Sequence, residues 1–385
     1  MPDAAQSDSS GRFRVEHRRG GLSRRAVISG IVAASAAAPG RAAAAAEPPL
    51  LSRGFNLPGW VDRADGTAPS AAVLEALGAA GFASVRLPVS GERIAARDAS
   101  AARAELAAIG EATRRLLDAG FAVLLDMHPS GELGRALEDQ PEPAFGLLES
   151  AWSALAGLLA DFPAGRVHAE LLNEPPLERD AWLGLRERLA AAVRSRCPRH
   201  TLVWGPARFQ GIWELAGTPP LADPDQLAAI HYYTPLGFTH QCQNWSASPL
   251  GRLANLPFPA TRDSPEVRAL AARLDRDGDE EAAEFLAHET ANPWSVGRIA
   301  SDFAEAARWS RDNGCPLVLD EFGVLGFCVD ARSRASWIGA VRGAAEANGI
   351  GWMYWEVDRG FGFIADRQDT AGFDAAIIGV LVGGA

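Results

Sequence analysis

The stretch SRDNGCPLVLDEFG, residues 310–323, decides the fold. A polar helical end stops at Gly314; an apolar run follows at once and finishes in Asp320-Glu321. Glycine after a helix takes the left-handed conformation that ends it at little cost. The same joint recurs in ALGAAG-FASVRLP at Gly81, LLDAG-FAVLLDMH at Gly120 and AEANG-IGWMYWE at Gly349. The strands after these joints are near-continuous apolar runs, which means burial on both faces, as in a parallel sheet. Eight candidate strands lie near 51–56, 82–88, 121–127, 166–172, 200–204, 227–231, 316–320 and 350–355. Helical patterns fill most gaps, at about 70–80, 99–119, 144–160, 178–196, 295–313, 331–348 and 374–382. Eight parallel strands with intervening helices predict an α/β fold of the (β/α)8 kind, a TIM barrel. A doubly wound open sheet is the competitor. It usually has fewer strands, and no glycine fingerprint for a dinucleotide follows the first strand here. Residues 234–294 break the rhythm between strands six and seven. A connection of this length is usually functional. It reads as an extended loop over the active face with a short helix near 264–274.

The whole chain of 385 residues suits one large barrel, and its 48% hydrophobic and 22% charged residues are an ordinary globular balance. All 37 basic residues are arginine. With no lysine, Schiff-base and pyridoxal chemistry and a Walker P-loop are excluded. The net charge of -11 makes nucleic acid a poor partner, because phosphate binding needs a basic surface. Residues 1–46 read as a secretory signal. A basic segment ending in Arg24-Arg25 precedes the apolar run Ala26–Ala38, and an alanine run ends at Ala46. The paired arginines favour the twin-arginine route to the periplasm or the exterior. Thirteen apolar residues are too few to span a bilayer, so the expected mature chain, 47–385, has no membrane span and is expected to be a monomer. It carries 30 basic and 45 acidic residues, a net charge of -15. No CxxC pair appears for zinc, and the pairing of Cys197, Cys242, Cys315 and Cys328 stays open, with four free buried thiols an equal reading.

Chemistry in a barrel sits where strands end. Strand two ends in Arg86-Leu87-Pro88, strand three in Asp126-Met127-His128 and strand four in Asn173-Glu174-Pro175. Strand six ends in His231-Tyr232-Tyr233, strand seven in Asp320-Glu321-Phe322 and strand eight in Tyr354-Trp355-Glu356. Singly, each has a bland reading: a capping glutamate, a satisfied histidine, a core tryptophan, a salt-bridged arginine. Six strand ends carrying polar groups in one register weigh against that. Glu174 and Glu321 stand across the barrel, as glycosidic cleavage requires: one carboxyl protonated to donate, one ionised to attack. Arg86 is the natural partner for the ionised one, with Tyr233 as a further donor. Asp126, Asp320 and Glu356 are rival acids; alternation along the strand turns Asp320 away from Glu321, so Asp126 and Asp320 are read as structural. Trp60, Trp213, Trp245 and Trp294 are candidate sugar platforms, since flat rings cover the C–H faces of pyranoses. No metal or organic cofactor is required. A metal-dependent hydrolase would need a denser ligand set than His128 and His231 on different strands.

Taken together, RGFNLPGW, SVRLPV, LLDMHP, LLNEPP, IHYYTP, LVLDEFG and MYWE, spread over residues 53–356, resemble glycoside hydrolase family 5, the cellulase family A. The resemblance implies a retaining enzyme with Glu174 as acid/base and Glu321 as nucleophile. It implies Asn173 on the 2-hydroxyl of the cleaved sugar, Arg86 and Tyr233 beside Glu321, His128 and His231 lining that sugar's site, and Trp355 beneath it. The implied partner is a β-linked oligo- or polysaccharide, with endo-β-1,4-glucan cleavage first. Mannan, β-1,3- or mixed-linkage glucan, a transglycosylase and a non-catalytic glycan-binding barrel are the alternatives.

Overall fold

The computed structural model describes residues 50–383. The segment read as an export signal lies outside the described residues. Eight strands form one closed parallel barrel in chain order. They are β1 (Gly54–Asn56), β2 (Ser84–Val89), β3 (Ala122–Met127), β4 (Val167–Glu170), β5 (Leu202–Trp204), β6 (Gln226–Tyr232), β7 (Leu317–Phe322) and β8 (Gly351–Tyr354). All eight expected strands are present. Two hydrophobic layers explain their continuous apolar character. Leu124, Val203, Leu227, Ala229, Val318 and Met353 pack together inside the barrel. Their sequence neighbours Val123, Leu125, Trp204, Ile230 and Leu319 join the larger core shared with the helices. A strand in the wall of a barrel therefore shows no polar face.

The seven expected helices fold at Ala71–Ala80, Ala99–Asp118, Pro141–Leu159, Arg179–Arg194, Val296–Asn313, Ala331–Ala347 and Ala375–Val382. The joint at 314 behaves as read: Gly314 has φ 61° and its N–H closes the helix onto Arg311 and Ser310 carbonyls. A further helix, Gly131–Asp139, escapes the sequence reading. It begins at Ser130, whose Oγ accepts from the N–H groups of Glu132 and Leu133.

The long connection is more ordered than the expected loop. Besides the short turn Leu236–Thr239, it holds helix Pro265–Asp277, near the anticipated 264–274, and a second helix, Glu280–Glu289. Phe238 packs near Phe258 and Trp294, with ring centroids 5.6 and 6.5 Å away. The excursion is thus held by apolar packing continuous with the main core. Cys242 within it is disulfide-bonded to Cys328 in the loop after β7, with Cα atoms 6.0 Å apart. Cys197 and Cys315 are free and buried. The open question of pairing resolves into one bridge and two thiols. Among the described residues no helix is long and apolar enough to cross a membrane.

Candidate active site

Arg86 organises the site from below. Its side chain is fully buried and every guanidinium N–H has an acceptor. Nε and Nη2 fork onto Glu170 at 2.6 and 2.8 Å. Nη1 donates to Asn56 Oδ1 at 3.0 Å and to Glu321 Oε1 at 2.6 Å. Nη2 also reaches Asn173 Oδ1 at 2.7 Å and lies 3.1 Å from Asp126. The planar five-donor fork of arginine satisfies such a set; an ammonium with three donors could not. Glu170 was not anticipated. It lies inside the apolar run of β4, where a buried acid within a strand is itself the signal. Burial, reinforced by Asp320 and Asp126, drives its carboxyl well above the ordinary range despite Arg86.

The two expected glutamates come together. The nearest carboxylate oxygens of Glu174 and Glu321 lie within 4.8 Å of one another and of a ring nitrogen of His231. His231 Nδ1 stands 2.9 Å from Glu174 Oε1 and 3.5 Å from Glu321 Oε2. Tyr233 Oη donates to Glu321 Oε2 at 3.0 Å. Glu174 sits at φ 42°, a left-handed conformation uncommon for a side chain larger than glycine, which costs roughly 1–3 kcal/mol. Its backbone N–H donates to Gln210 Oε1 at 2.5 Å, which holds that turn. Gln210 lies in the loop after β5 and carries no sequence signal. Gly323 is required by close approach: a Cβ there would stand 2.1 Å from the Trp355 carbonyl oxygen.

His128 Nδ1 is 2.7 Å from Asp126 Oδ2, and its ring stacks on Trp355 with centroids 5.9 Å apart and planes at 13°. Asp126 is therefore an orienting partner of His128. Asp320 does not turn away as alternation predicts. The β6–β7 register runs from Ile230↔Leu319 to His231↔Glu321, and this bulge leaves Asp320 unpaired. Both acids consequently face His231, with Asp320 Oδ1 3.4 Å from its Nε2. Glu356 is nearly buried after β8, and burial followed by Asp358 pushes its carboxyl up to about 8.

The ionisations are linked. Burial opposes charge on His231, but Glu321, Asp320 and Glu174 together hold its pKa well above the ordinary imidazole value. Burial raises Glu174, yet the hydrogen bond and charge of His231 outweigh it, and its pKa lies below the usual range. Burial pushes Glu321 up against the pull of His231 and Arg86.

Above these groups opens a cleft of about 1000 Å³. His128, Asn173, Glu174, His231, Tyr233, Glu321 and Trp355 form its floor, and Phe209, Trp213, Trp245 and Phe361 are among its wall residues. Trp213 and Trp245 are 64% and 59% exposed, as sugar platforms must be. Two other tryptophans are corrections. Trp60 does not line the cleft; it packs on the core beneath the Arg115 guanidinium, 5.2 Å from the ring. Trp294 is buried in the excursion with its indole N–H donated to the Glu289 carbonyl.

A closed parallel barrel thus carries two carboxyls, an arginine and exposed aromatics around one open cleft. The chain belongs to glycoside hydrolase family 5: the family described as Cellulase (glycosyl hydrolase family 5) matches residues 43–360. Endoglucanase 3 of Fibrobacter succinogenes is 25% identical over 350 residues, covering 85% of this chain and 52% of that protein. The chain thus spans about half the length of that curated relative. Among solved structures, Thermotoga maritima Cel5A with cellobiose superposes with TM-score 0.71 at 23% identity, covering 86% of this chain and 98% of that one. The same protein with mannotriose gives 0.70 at 22%, covering 86% and 98%.

Proposed function

We propose that this protein is a retaining endo-β-glycosidase, acting first on β-1,4-glucan. The observation that carries the reading is the spacing of Glu174 and Glu321 about one imidazole. Retaining pairs stand about 5–5.5 Å apart, whereas inverting pairs leave roughly 6.5–9.5 Å for a water. Glu321, fixed by Arg86 and Tyr233, attacks the anomeric carbon, and Glu174 protonates the departing oxygen. Water deprotonated by Glu174 then releases the sugar with net retention.

The proton order of the free site must invert for this. In the free cleft the hydrogen bond and charge of His231 hold Glu174 below the usual carboxylate range against its burial, while the surrounding acids hold His231 above the usual imidazole value. A bound sugar brings developing positive charge to Glu321, which favours its ionised form, and a leaving oxygen to Glu174. Passage of the Nδ1 proton of His231 along its 2.9 Å contact supplies the acid. Asn173 faces the 2-hydroxyl, Trp355 lies beneath the cleaved sugar, and Trp213 and Trp245 cover neighbouring units. The preference for glucan is supported by family membership and by the relative that is called an endoglucanase. Mannan is the second reading, because mannotriose occupies one of the similar barrels. Export through Arg24-Arg25 fits the Cys242–Cys328 bridge, which suits an oxidising compartment.

The test is an assay of the mature chain on soluble β-glucans, mannan and xylan beside Glu174→Gln and Glu321→Gln. Each variant is expected to lose at least about a thousandfold in kcat, and the first anomer released to retain the β configuration. An unchanged rate in either variant removes that residue from the mechanism, and an inverted first anomer removes the covalent step.

A further inference from the structure

Asp320 is a fully buried acid that the mechanism does not use. The bulge in β7 gives Asp320 and Glu321 the same inward aspect, so Asp320 stands under the imidazole that joins the two reacting carboxyls. The groups around it come from each neighbouring strand. Arg86 on β2 has its Nε 3.7 Å away but committed to Glu170 of β4 at 2.6 Å. Asn56 on β1 donates to the Asp320 carbonyl oxygen, not to its carboxyl. His231 on β6 presents Nε2 at 3.4 Å. Neither Asp320 carboxyl oxygen nor His231 Nε2 has a partner at hydrogen-bonding geometry, their own 3.4 Å contact included. Buried polar atoms left unpaired are costly, and here the two unpaired sets face each other. A cation held by Glu170, His231 and Asp320 would be the rival use of this cluster, but the Arg86 guanidinium already occupies the Glu170 carboxyl.

We propose that Asp320 is a positioning residue that acts through His231: it engages Nε2–H, so that the ring's other proton sits at Nδ1, aimed at Glu174. This rests on Glu174 being the acid. Beyond Asp320, the acids around His231 are Glu174 after β4, Glu321 on β7, Asp126 on β3 and Glu170 on β4, the last within 4.8 Å together with Asp320; among the acids of the described residues, Asp320 is the one within 4 Å on the Nε2 side. The elevated pKa of His231 agrees with that arrangement. The pair Glu174–His231 then keeps its shared proton to higher pH than either group could alone.

The experiment is a ring-¹⁵N NMR titration of histidine-labelled mature protein, with His231 assigned by loss of its signals in His231→Asn. In the wild type, both ring nitrogens of His231 are expected to stay protonated at pH 7.5. In Asp320→Asn the ring should titrate at least about one pH unit lower, and Asp320→Glu should restore most of the difference. The alkaline limb of kcat/KM on an unactivated glucan oligosaccharide should move down with it. A dinitrophenyl glycoside, whose leaving group needs no proton, should show no such movement. A wild-type His231 that is singly protonated at pH 7.5 overturns the inference, and so does an Asp320→Asn titration that coincides with wild type. Failure of the underlying reading shows separately, as a wild type without glycosidase activity or a fully active Glu174→Gln.

Discussion

Arg86 shows how one side chain can serve as both foundation and instrument. It stands within ion-pair distance of Glu170, Asp126, Asp320 and Glu321 and presents one N–H to the Glu321 carboxyl. Arg86→Lys keeps the charge but loses the fork. We expect kcat/KM to fall by about 10²–10³, the scale of losing one preorganised donor at a reacting oxygen. Steady-state kinetics beside a circular dichroism melt checks this; a rate within threefold of wild type would remove Arg86 from the machinery. Most polar floor residues were legible because each apolar run ended in one. Glu170 and Gln210 were not, the first because the reading looked at strand ends rather than inside strands, the second because a loop glutamine has no local pattern. The direction of Asp320 was misread because period-two alternation assumes an unbroken ladder, and β7 contains a bulge.

At the scale of elements, the excursion between β6 and β7 builds one wall of the cleft. His240, Gln243 and Trp245 line it, and Cys242–Cys328 ties that wall to the loop following β7. These residues line the cleft apart from the Glu174–His231–Glu321 cluster, so loosening them should act on KM. The double variant Cys242→Ser, Cys328→Ser is expected to raise KM by about three- to tenfold with kcat within twofold. It should also lose about 2–4 kcal/mol of stability. Trp245→Ala should raise KM about fivefold, as for an exposed stacking ring worth about 1 kcal/mol. A fall in kcat with unchanged KM would place these residues with the reacting groups instead. Sequence periodicity located the excursion but not its second helix, because short amphipathic helices carry few turns to read.

For the whole molecule, closure of eight strands forces buried acids to the axis, and that has a signature in pH. Glu356 has a folded pKa of about 8, above its unfolded value. Its folded state therefore binds the proton more tightly, and the contribution it makes at low pH is lost as pH rises from about 4.5 through 8. Glu170, Glu321 and His231 shift in the same direction. His168 and His240, both lowered to about 4, act oppositely, but only below about pH 6.5. We expect Tm to fall between pH 6.5 and 9. Glu356→Gln should raise it by about 2–4 °C at pH 9 and leave it unchanged at pH 4. Differential scanning fluorimetry across that range measures it; a gain equal at both pH values would show that charge is not the cause.

What the sequence determined by itself was the barrel and the floor of its cleft. Helix-ending glycines and doubly buried strands are local patterns, and strand ends in a closed parallel barrel must converge. What only the tertiary structure decided was which acids share an imidazole, which tryptophans meet the cleft and which cysteines pair. Those depend on one-residue register and on contacts between segments far apart in the chain, such as Cys242 and Cys328, 86 residues apart, and no local pattern records a distance.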